Sequence, residues 1–259
     1  MLKRTLLALT LLCLLTGTLL AADDPFVGRW KLNRAKSNLA GEQMKIEDLG
    51  GNKFKITTGN VANTITADGT DQPDQFGSTT SIAAEGSEAW KMVIKRNGKV
   101  VQSMSFTLSP NGTTQTVKGT NTRPDGSTSD FEVELKRVSS GSGWTGTWEE
   151  VKEKETSSRE LDIETYEGGG LTFKSPHYRY VVSMKFDGKD YDVVDPDESP
   201  GGAFSGKRVS EHTLELTYKI KSQVMENRTY QVSPDKKTLT VTTHESGQPH
   251  EQVMVYDKL

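Results

Sequence analysis

Cysteine is almost absent from this sequence. Among its 259 residues there is one, Cys13, and it lies near the amino terminus. A single thiol cannot form an intramolecular disulfide, and a zinc site built on cysteine needs several. Hydrophobic residues make up only 33 % of the chain, so each hydrophobic core must be modest in size. The shortage of cysteine excludes a disulfide-stapled fold. It also excludes thiolate-based chemistry in the mature protein, which we expect to lack Cys13.

Long apolar runs are confined to the first 22 residues. Lys3 and Arg4 precede an almost entirely apolar run over residues 6–20, and two alanines follow it. This order is typical of a secretory signal peptide, which we expect to occupy residues 1–22 and to remove Cys13 when it is cleaved. Beyond it no ten consecutive residues are all apolar, so no membrane-spanning helix is predicted in the mature chain. Export without disulfides favours a bacterial periplasm or the exterior.

Basic clusters are also missing. The chain has 32 Lys and Arg against 35 Asp and Glu, and two of the basic residues lie in the predicted signal peptide. The mature chain therefore carries a net charge near −5, with no basic block. Binding of nucleic acid requires clustered positive charge along phosphates, so this class of partner is not expected.

The chain contains an internal repeat of more than a hundred residues, which determines its domain organisation. Four pairs of similar segments recur at an offset of 118 to 124 residues: 26–30 with 144–148, 67–71 with 186–190, 108–111 with 232–235, and 131–137 with 253–258. A Ser-Ser-Gly-Ser-Gly segment at 139–143 lies between the copies and is typical of a linker. We predict two homologous domains, 24–138 and 144–259.

Within each copy the hydrophobic pattern has a period of two. Met104, Phe106 and Leu108 alternate with polar residues, and the same alternation occurs around residues 90–95 and 214–219. Turn signals such as Asn97-Gly98 separate these runs, so the pattern predicts about eight antiparallel strands per copy. Short helices are expected only over residues 33–39 and 149–157. The predicted class is all-β, with each copy forming a closed up-and-down barrel or a sandwich.

A Gly-x-Trp at the start of each copy, followed by hairpin-linked strands and a basic residue on the last strand, resembles the lipocalin pattern. It is similar in particular to secreted bacterial proteins with tandem lipocalin-like domains. The resemblance implies two eight-stranded up-and-down barrels, each with a tryptophan across its closed end and a basic side chain over that ring. It assigns Gly28, Trp30 and Arg137 to the first barrel. For the second barrel it assigns Gly146, Trp148 and Lys258.

The inward-facing apolar side chains are candidates for a ligand cavity. They are Trp90, Met92, Met104, Phe106, Leu214, Leu216, Tyr218 and Met225. Eight strands of side chains can also fill a small barrel without leaving a void, so a solid core is an equal alternative. A cavity and a solid core differ in the empty volume inside the barrel, and the alternation of apolar and polar residues does not report that volume.

All four histidines lie in the second copy, and His244 and His250 flank one predicted hairpin. Their spacing differs from that of a helical zinc-protease motif, and exposed hairpin histidines are the more common arrangement. An acidic segment over residues 187–198 lacks the order of a known calcium loop. We therefore predict no metal, no cofactor and no enzymatic activity.

The predicted function is non-catalytic binding of a small, partly apolar or amphipathic ligand inside one or both barrels of an exported protein. Two alternatives remain open. One is an envelope or extracellular module with filled barrels whose surface contacts a protein partner. The other is an enzyme that uses the hairpin of His244 and His250.

Overall fold

The computed structural model describes residues 24–39, 41–123, 125–156, 158–175, 180–194 and 202–259. The predicted signal peptide, 1–22, lies outside the described residues. The described part of the chain is all-β, as predicted, and contains only two short 3-10 turns, Arg34–Lys36 and Glu167–Gly169, besides its strands. The first turn falls within the helix predicted over 33–39, whereas the helix predicted over 149–157 is wrong because most of that segment is a strand.

Twenty strands are described, ten in each repeat. In the first repeat they are β1 (Gly28–Leu32), β2 (Gln43–Asp48), β3 (Lys53–Thr58), β4 (Val61–Thr66), β5 (Gln72–Pro73), β6 (Ser78–Ala84), β7 (Ala89–Arg96), β8 (Lys99–Leu108), β9 (Thr114–Thr122) and β10 (Thr128–Arg137). In the second they are β11 (Gly146–Glu155), β12 (Glu160–Tyr166), β13 (Gly170–Ser175), β14 (Tyr180–Met184), β15 (Tyr191–Asp192), β16 (Gly202–Ser210), β17 (Thr213–Ile220), β18 (Gln223–Val232), β19 (Thr238–Glu245) and β20 (Gln252–Lys258).

The strands form two antiparallel ten-stranded sheets, so the predicted number of eight per barrel is wrong. Strands β5 and β15 have two residues each and are too short to produce an alternating pattern. Strand β4 has the sequence Val-Ala-Asn-Thr-Ile-Thr, half of which is polar. Short or polar strands such as these are not detected by hydrophobic periodicity.

The two repeats exchange their first strands. One sheet, which we call barrel I, contains β2–β10 of the first repeat, with β11 of the second repeat between β2 and β10. The other, barrel II, contains β12–β20, with β1 of the first repeat between β12 and β20. The prediction that 24–138 and 144–259 each form a barrel alone therefore requires correction, since each sheet borrows one strand. The exchange is possible because β1 and β11 occupy equivalent positions in the repeats.

Both sheets are nearly closed, an architecture compatible with a lipocalin-like fold. In barrel II the edge strands β14 and β15 meet where Val181 and Val194 exchange two backbone hydrogen bonds, of 2.9 and 2.8 Å. In barrel I the side-chain amide of Gln72, on β5, makes two 2.8 Å hydrogen bonds with the backbone of Thr66, on β4. These contacts satisfy backbone groups at the sheet edges that would otherwise be unpaired.

The closed end of each barrel contains one of the two repeated tryptophans. Trp30 is fully buried in the core of barrel II, and its indole N–H donates to the carbonyl oxygen of Phe26 at 2.8 Å. Trp148 is fully buried in barrel I, and its indole N–H donates to the carbonyl of Trp144 at 2.9 Å. The local geometry is thus the same in both barrels, although each tryptophan comes from the opposite repeat.

The basic side chains over these rings are also exchanged relative to the prediction. The Lys258 ammonium lies 5.0 Å from the centroid of Trp30, and the Arg137 guanidinium lies 4.1 Å from that of Trp148. Both distances suit a cation–π contact. The predicted pairs, Trp30 with Arg137 and Trp148 with Lys258, are wrong because β1 and β11 change places.

The glycine of each Gly-x-Trp makes room for this cation. Gly146 has a φ of +125°, and a Cβ at this position would lie 2.9 Å from a guanidinium nitrogen of Arg137. Gly28 has a φ of +143°, and a Cβ there would lie 2.6 Å from Lys258 Cε. Both the backbone conformation and the close approach therefore require glycine.

The open ends of the two barrels face each other. Strands β1 and β11 begin at the closed ends. The described residues that follow them, 33–39 with 41–42 and 156 with 158–159, are the crossing segments, because the next strands, β2 and β12, belong to the other barrel. Hairpins of the two barrels contact each other at this junction: the Asn60 amide donates to the carbonyl of Val224 at 3.0 Å, and the Lys221 ammonium donates to that of Gln75 at 2.6 Å. Gln248 is buried and exchanges hydrogen bonds of 2.7 and 3.0 Å with the Gln43 backbone.

Candidate functional site

A cavity of about 420 Å³ lies inside barrel II and extends to the junction with barrel I. Its deep part is lined by side chains of barrel II, and its outer part by side chains from both barrels and from the crossing segments. The lining residues are Leu39, Glu42, Glu150, Glu153, Arg159, Tyr180, Val193, Gly202, Phe204, Tyr218, Glu226, Arg228, Thr243, Glu245, Gln252 and Met254. The volume lies within the range typical of small-molecule sites.

Three aromatic rings form the wall of the deep part. The centroids of Tyr180 and Phe204 are 5.7 Å apart, and those of Phe204 and Tyr218 are 4.8 Å apart. Gly202 lies beside them, where a Cβ would come within 3.1 Å of the Tyr218 hydroxyl oxygen, so the absence of a side chain leaves space next to this ring. Such a wall favours an apolar or aromatic part of a ligand.

Arg228 projects from β18 into the same region, on the inward face that also carries Tyr230. Its guanidinium forms an ion pair with Glu226 and donates hydrogen bonds to the hydroxyls of Tyr180 at 3.1 Å and Tyr230 at 3.4 Å. It also lies 5.3 Å from the Phe204 ring centroid. Burial raises the pKa of the Tyr180 hydroxyl well above its usual range, so this group stays neutral. The buried charge of Arg228 is thus matched by Glu226 and by hydrogen bonds from its two terminal nitrogens, whereas its buried Nε–H has no hydrogen-bond partner.

A second group of ion pairs joins the two crossing segments. Arg34, which follows β1, lies 3.3 Å from Glu153 and 3.0 Å from Glu155, near the end of β11. Arg159, which precedes β12, forms ion pairs with the same two glutamates, and the Glu155 side chain is 1 % exposed. The four side chains therefore neutralise each other and connect the strands that the barrels exchange.

Three further glutamates meet at the junction. Burial and the neighbouring carboxylate of Glu153 raise the pKa of Glu42 above its ordinary value. Burial, Glu153 and Glu42 raise the pKa of Glu150 to about 7, with the nearby arginines acting in the opposite direction. Burial, Glu42 and Glu226 raise the pKa of Glu245 to about 7. With pKa values of about 7, the carboxyl groups of Glu150 and Glu245 change from protonated to ionised near neutral pH.

These pKa values predict a pH dependence of stability. The folded protein retains protons on Glu150 and Glu245 that the unfolded chain loses above about pH 4.5, so the free energy of unfolding falls as the pH rises from about 4.5 to 7. We expect the double variant Glu150→Gln/Glu245→Gln to be about 2 kcal/mol more stable than the unsubstituted protein at pH 8, after allowance for solvent screening. At pH 4 the two should be equal.

Urea unfolding at pH 4 and pH 8 measures this difference. The control is Glu215→Gln, which changes an exposed glutamate on β17 paired with Lys207. A double variant that is no more stable than the unsubstituted protein at pH 8 would contradict the prediction.

Of the eight side chains predicted to line a ligand cavity, Tyr218 lines the cavity of barrel II. Leu214 and Leu216 are buried in the core of the same barrel, and Met225 is half-buried on β18. In barrel I, Trp90 and Phe106 are core residues, and Trp90 stacks on Trp144 with centroids 4.2 Å apart. Met92 and Met104 line a more open depression of about 740 Å³ on barrel I.

The histidines of the predicted hairpin lie outside the cavity. His244 is exposed on β19, on the face opposite to Thr243 and Glu245. His250 is also exposed, and its Nε2 lies 3.7 Å from an oxygen of Glu149. A Cβ at Gly41 would lie 3.2 Å from the Cβ of His250. The described residues contain no group of three or more His, Cys, Asp or Glu side chains that could hold a metal ion.

The charged side chains of the cavity were not predicted from the sequence. A signal for some of them was present, because Glu226 and Arg228 share the alternation of the buried residues Tyr230 and Val232. Likewise Thr243 and Glu245 continue the inward face of Leu239 and Val241. No such signal exists for Glu42 and Glu150, which reach the cavity only because the barrels face each other.

None of the helical segments in the described residues has the length and hydrophobicity that crossing a membrane requires. Comparison with protein-family models, with curated proteins and with solved structures finds no match to this chain. The function is therefore inferred from the geometry of the cavity.

Proposed function

We propose that this chain is an exported, non-catalytic, lipocalin-like protein that binds a small, partly apolar ligand in the cavity of barrel II. The observation that carries the proposal is the cavity itself, of about 420 Å³, with an aromatic wall at one end and polar groups at the other. Burial of an apolar group in a preformed pocket supplies affinity, and a few polar groups fix orientation. The Gly-x-Trp and cation at each closed end support the lipocalin-like assignment.

The contrast between the barrels supports barrel II as the binding site. In barrel I the rings of Phe54, Trp90 and Trp144 pack on one another and line neither the cavity nor the depression of about 740 Å³. In barrel II the rings of Tyr180, Phe204 and Tyr218 instead line the cavity. Barrel I then supplies structure and the outer wall of the site, through Glu42 and Glu150.

Two neighbouring valines allow a matched test. Val193 lines the cavity, whereas Val194 is 67 % exposed. The full-length precursor is expressed in its own host, and the mature protein, together with the variants Val193→Trp and Val194→Trp, is analysed by native mass spectrometry. We expect a reproducible bound mass on the unsubstituted protein and on Val194→Trp, with at least a tenfold lower occupancy on Val193→Trp.

The same spectra report the mass of the mature chain, which should lack about 22 residues if the protein is exported. Equal occupancy of the two tryptophan variants would place the ligand elsewhere and contradict the proposal. A folded protein with no bound mass from its own compartment would instead favour the alternative of an interaction module.

A further inference from the structure

The outer part of the cavity has an excess of negative charge. Five glutamates and two arginines line the cavity as a whole. Glu226 is paired with Arg228, and Glu153 is paired with Arg34 and Arg159. Once these pairs are formed, Glu42, Glu150 and Glu245 remain. Among the described residues, no lysine or arginine lies within ion-pair distance of any of the three.

A buried hydroxyl next to these carboxyl groups also has no partner. Thr243 is 6 % exposed and lines the cavity, and its Oγ1 atom makes no hydrogen bond. It lies two residues before Glu245, on the same inward face of β19. Buried hydroxyls are normally hydrogen-bonded, so an unpaired one beside a cavity indicates that a ligand or water completes its bonding.

The chemistry of the cavity restricts what this group can be. A metal ion is disfavoured, because no three acidic or histidine side chains of the described residues are arranged to hold one. An anionic head group would meet Glu42, Glu150 and Glu245 without a free cation beside them. A positively charged organic group suits both the carboxyl groups and the aromatic rings of Phe204 and Tyr218.

We infer that the ligand of barrel II carries a protonated amine, which lies among Glu42, Glu150 and Glu245 and donates to Thr243 Oγ1, while its apolar part lies against the aromatic wall. This inference rests on the proposed function and specifies the chemical class of the ligand. The ammonium donates three hydrogen bonds and accepts none, which matches a set of acceptors. The cavity would therefore select organic ammonium ions over neutral or acidic molecules of the same shape.

Binding of an ammonium group should be linked to pH. The charged and titratable groups that face the junction are Glu42, Glu150, Glu153, Glu155, Glu226, Glu245, Arg34, Arg159, Arg228 and His250. An alkylamine keeps its proton below about pH 10, whereas Glu150 and Glu245 lose theirs near pH 7. We expect affinity for such a ligand to rise about tenfold between pH 5.5 and pH 8, as these carboxyl groups ionise.

Three probes of nearly equal shape test the inference: n-octylamine, n-octanol and n-octanoate. Each is titrated by calorimetry into the mature two-repeat protein at pH 7. We expect n-octylamine to bind at least tenfold more tightly than n-octanol, and n-octanoate to bind most weakly. Repeating the n-octylamine and n-octanol titrations at pH 5.5 and pH 8 should show a rise for the amine and no change for the alcohol.

Variants test whether the amine binds beside Glu150 and Glu245. Glu150→Gln/Glu245→Gln should lower the affinity for n-octylamine at least tenfold more than the affinity for n-octanol, and should abolish the pH dependence of n-octylamine binding. The control Glu215→Gln, on the outside of barrel II, should match the unsubstituted protein with all three probes. Circular dichroism of each variant confirms that the fold is retained.

The outcomes separate this inference from the proposed function. Equal affinities for n-octylamine and n-octanol, both reduced by Val193→Trp, would overturn the ammonium inference and leave the cavity as a binding site. Tighter binding of n-octanoate would also overturn it. Failure of all three probes, with no bound mass on the native protein, would overturn both proposals.

Discussion

Replacing Trp30 with alanine is expected to loosen barrel II, which is built mainly from the second repeat, rather than the repeat in which Trp30 lies. Trp30 is fully buried in the core of barrel II, and its truncation should cost about 3–5 kcal/mol. Trp148→Ala should have the reciprocal effect on barrel I, because that ring lies in the other core.

Hydrogen exchange followed by mass spectrometry can measure this directly. In Trp30→Ala, peptides from β12–β20 should exchange faster, while those from β2–β10 should keep most of their protection. Trp148→Ala should show the opposite pattern and serves as the matched control. If each substitution loosened its own repeat instead, the exchange of strands would be disproved.

Engineered cysteines provide an independent test of the same exchange. Lys31 lies opposite Asp257 in the pairing of β1 with β20. If β1 instead occupied the position of β11, Lys31 would lie opposite Lys136, which pairs with Glu149. We therefore expect a disulfide within one chain for Lys31→Cys/Asp257→Cys and none for Lys31→Cys/Lys136→Cys. Both variants also carry Cys13→Ser, so that no third thiol can interfere.

Removing the partner of the buried arginine should have a similarly large effect. The side chains of Arg228 and Glu226 are 12 % and 15 % exposed, so Glu226→Ala leaves a buried charge without its carboxylate. A buried ion pair broken in this way typically costs about 3–5 kcal/mol. The double variant Glu226→Ala/Arg228→Met should recover most of that loss, since it removes the uncompensated charge as well.

Urea unfolding of the two single variants, the double variant and the unsubstituted protein forms a double-mutant cycle that measures the coupling between the two side chains. The matched control is Glu215→Ala, which breaks the exposed ion pair with Lys207 in the same barrel and should cost less than about 1 kcal/mol. If Glu226→Ala cost no more than this control, the buried pair would not contribute as the geometry indicates.

The fold class could be predicted from the sequence because the alternation of apolar and polar residues along each strand is a local pattern. Leu214, Leu216 and Tyr218 alternate with polar residues and do form a strand with that face inward. The Asn97-Gly98 turn likewise adopts the two positive φ angles that a two-residue hairpin favours. Local patterns of this kind require no knowledge of the rest of the chain.

The exchange of strands could not be predicted in the same way. Strands β1 and β11 both carry a Gly-x-Trp, so this motif does not indicate which of them belongs to which barrel. The exchanged arrangement depends on the paths of the crossing segments, and it brings Arg34 close to Glu153 and Glu155. Neither feature produces a periodic signal.

Only part of the candidate site could be predicted from the sequence, for a related reason. Tyr218 was identified through alternation, whereas Glu42 and Glu150 belong to barrel I and reach the cavity through the meeting of the two open ends. Glu226 and Arg228 could have been noticed as charged residues at inward positions of β18. Polar residues that interrupt an apolar face are therefore informative about the open end of a barrel.

The pairing of β1 with β20 also has a consequence for the order of events during synthesis. Strand β1 lies between β12 and β20, so barrel II cannot close until β20 has been made. Barrel I needs no strand beyond β11. The edge of β1 that pairs with β20 therefore has no partner in a chain that has been made only as far as β19, and the cavity of barrel II cannot form before β20 is present.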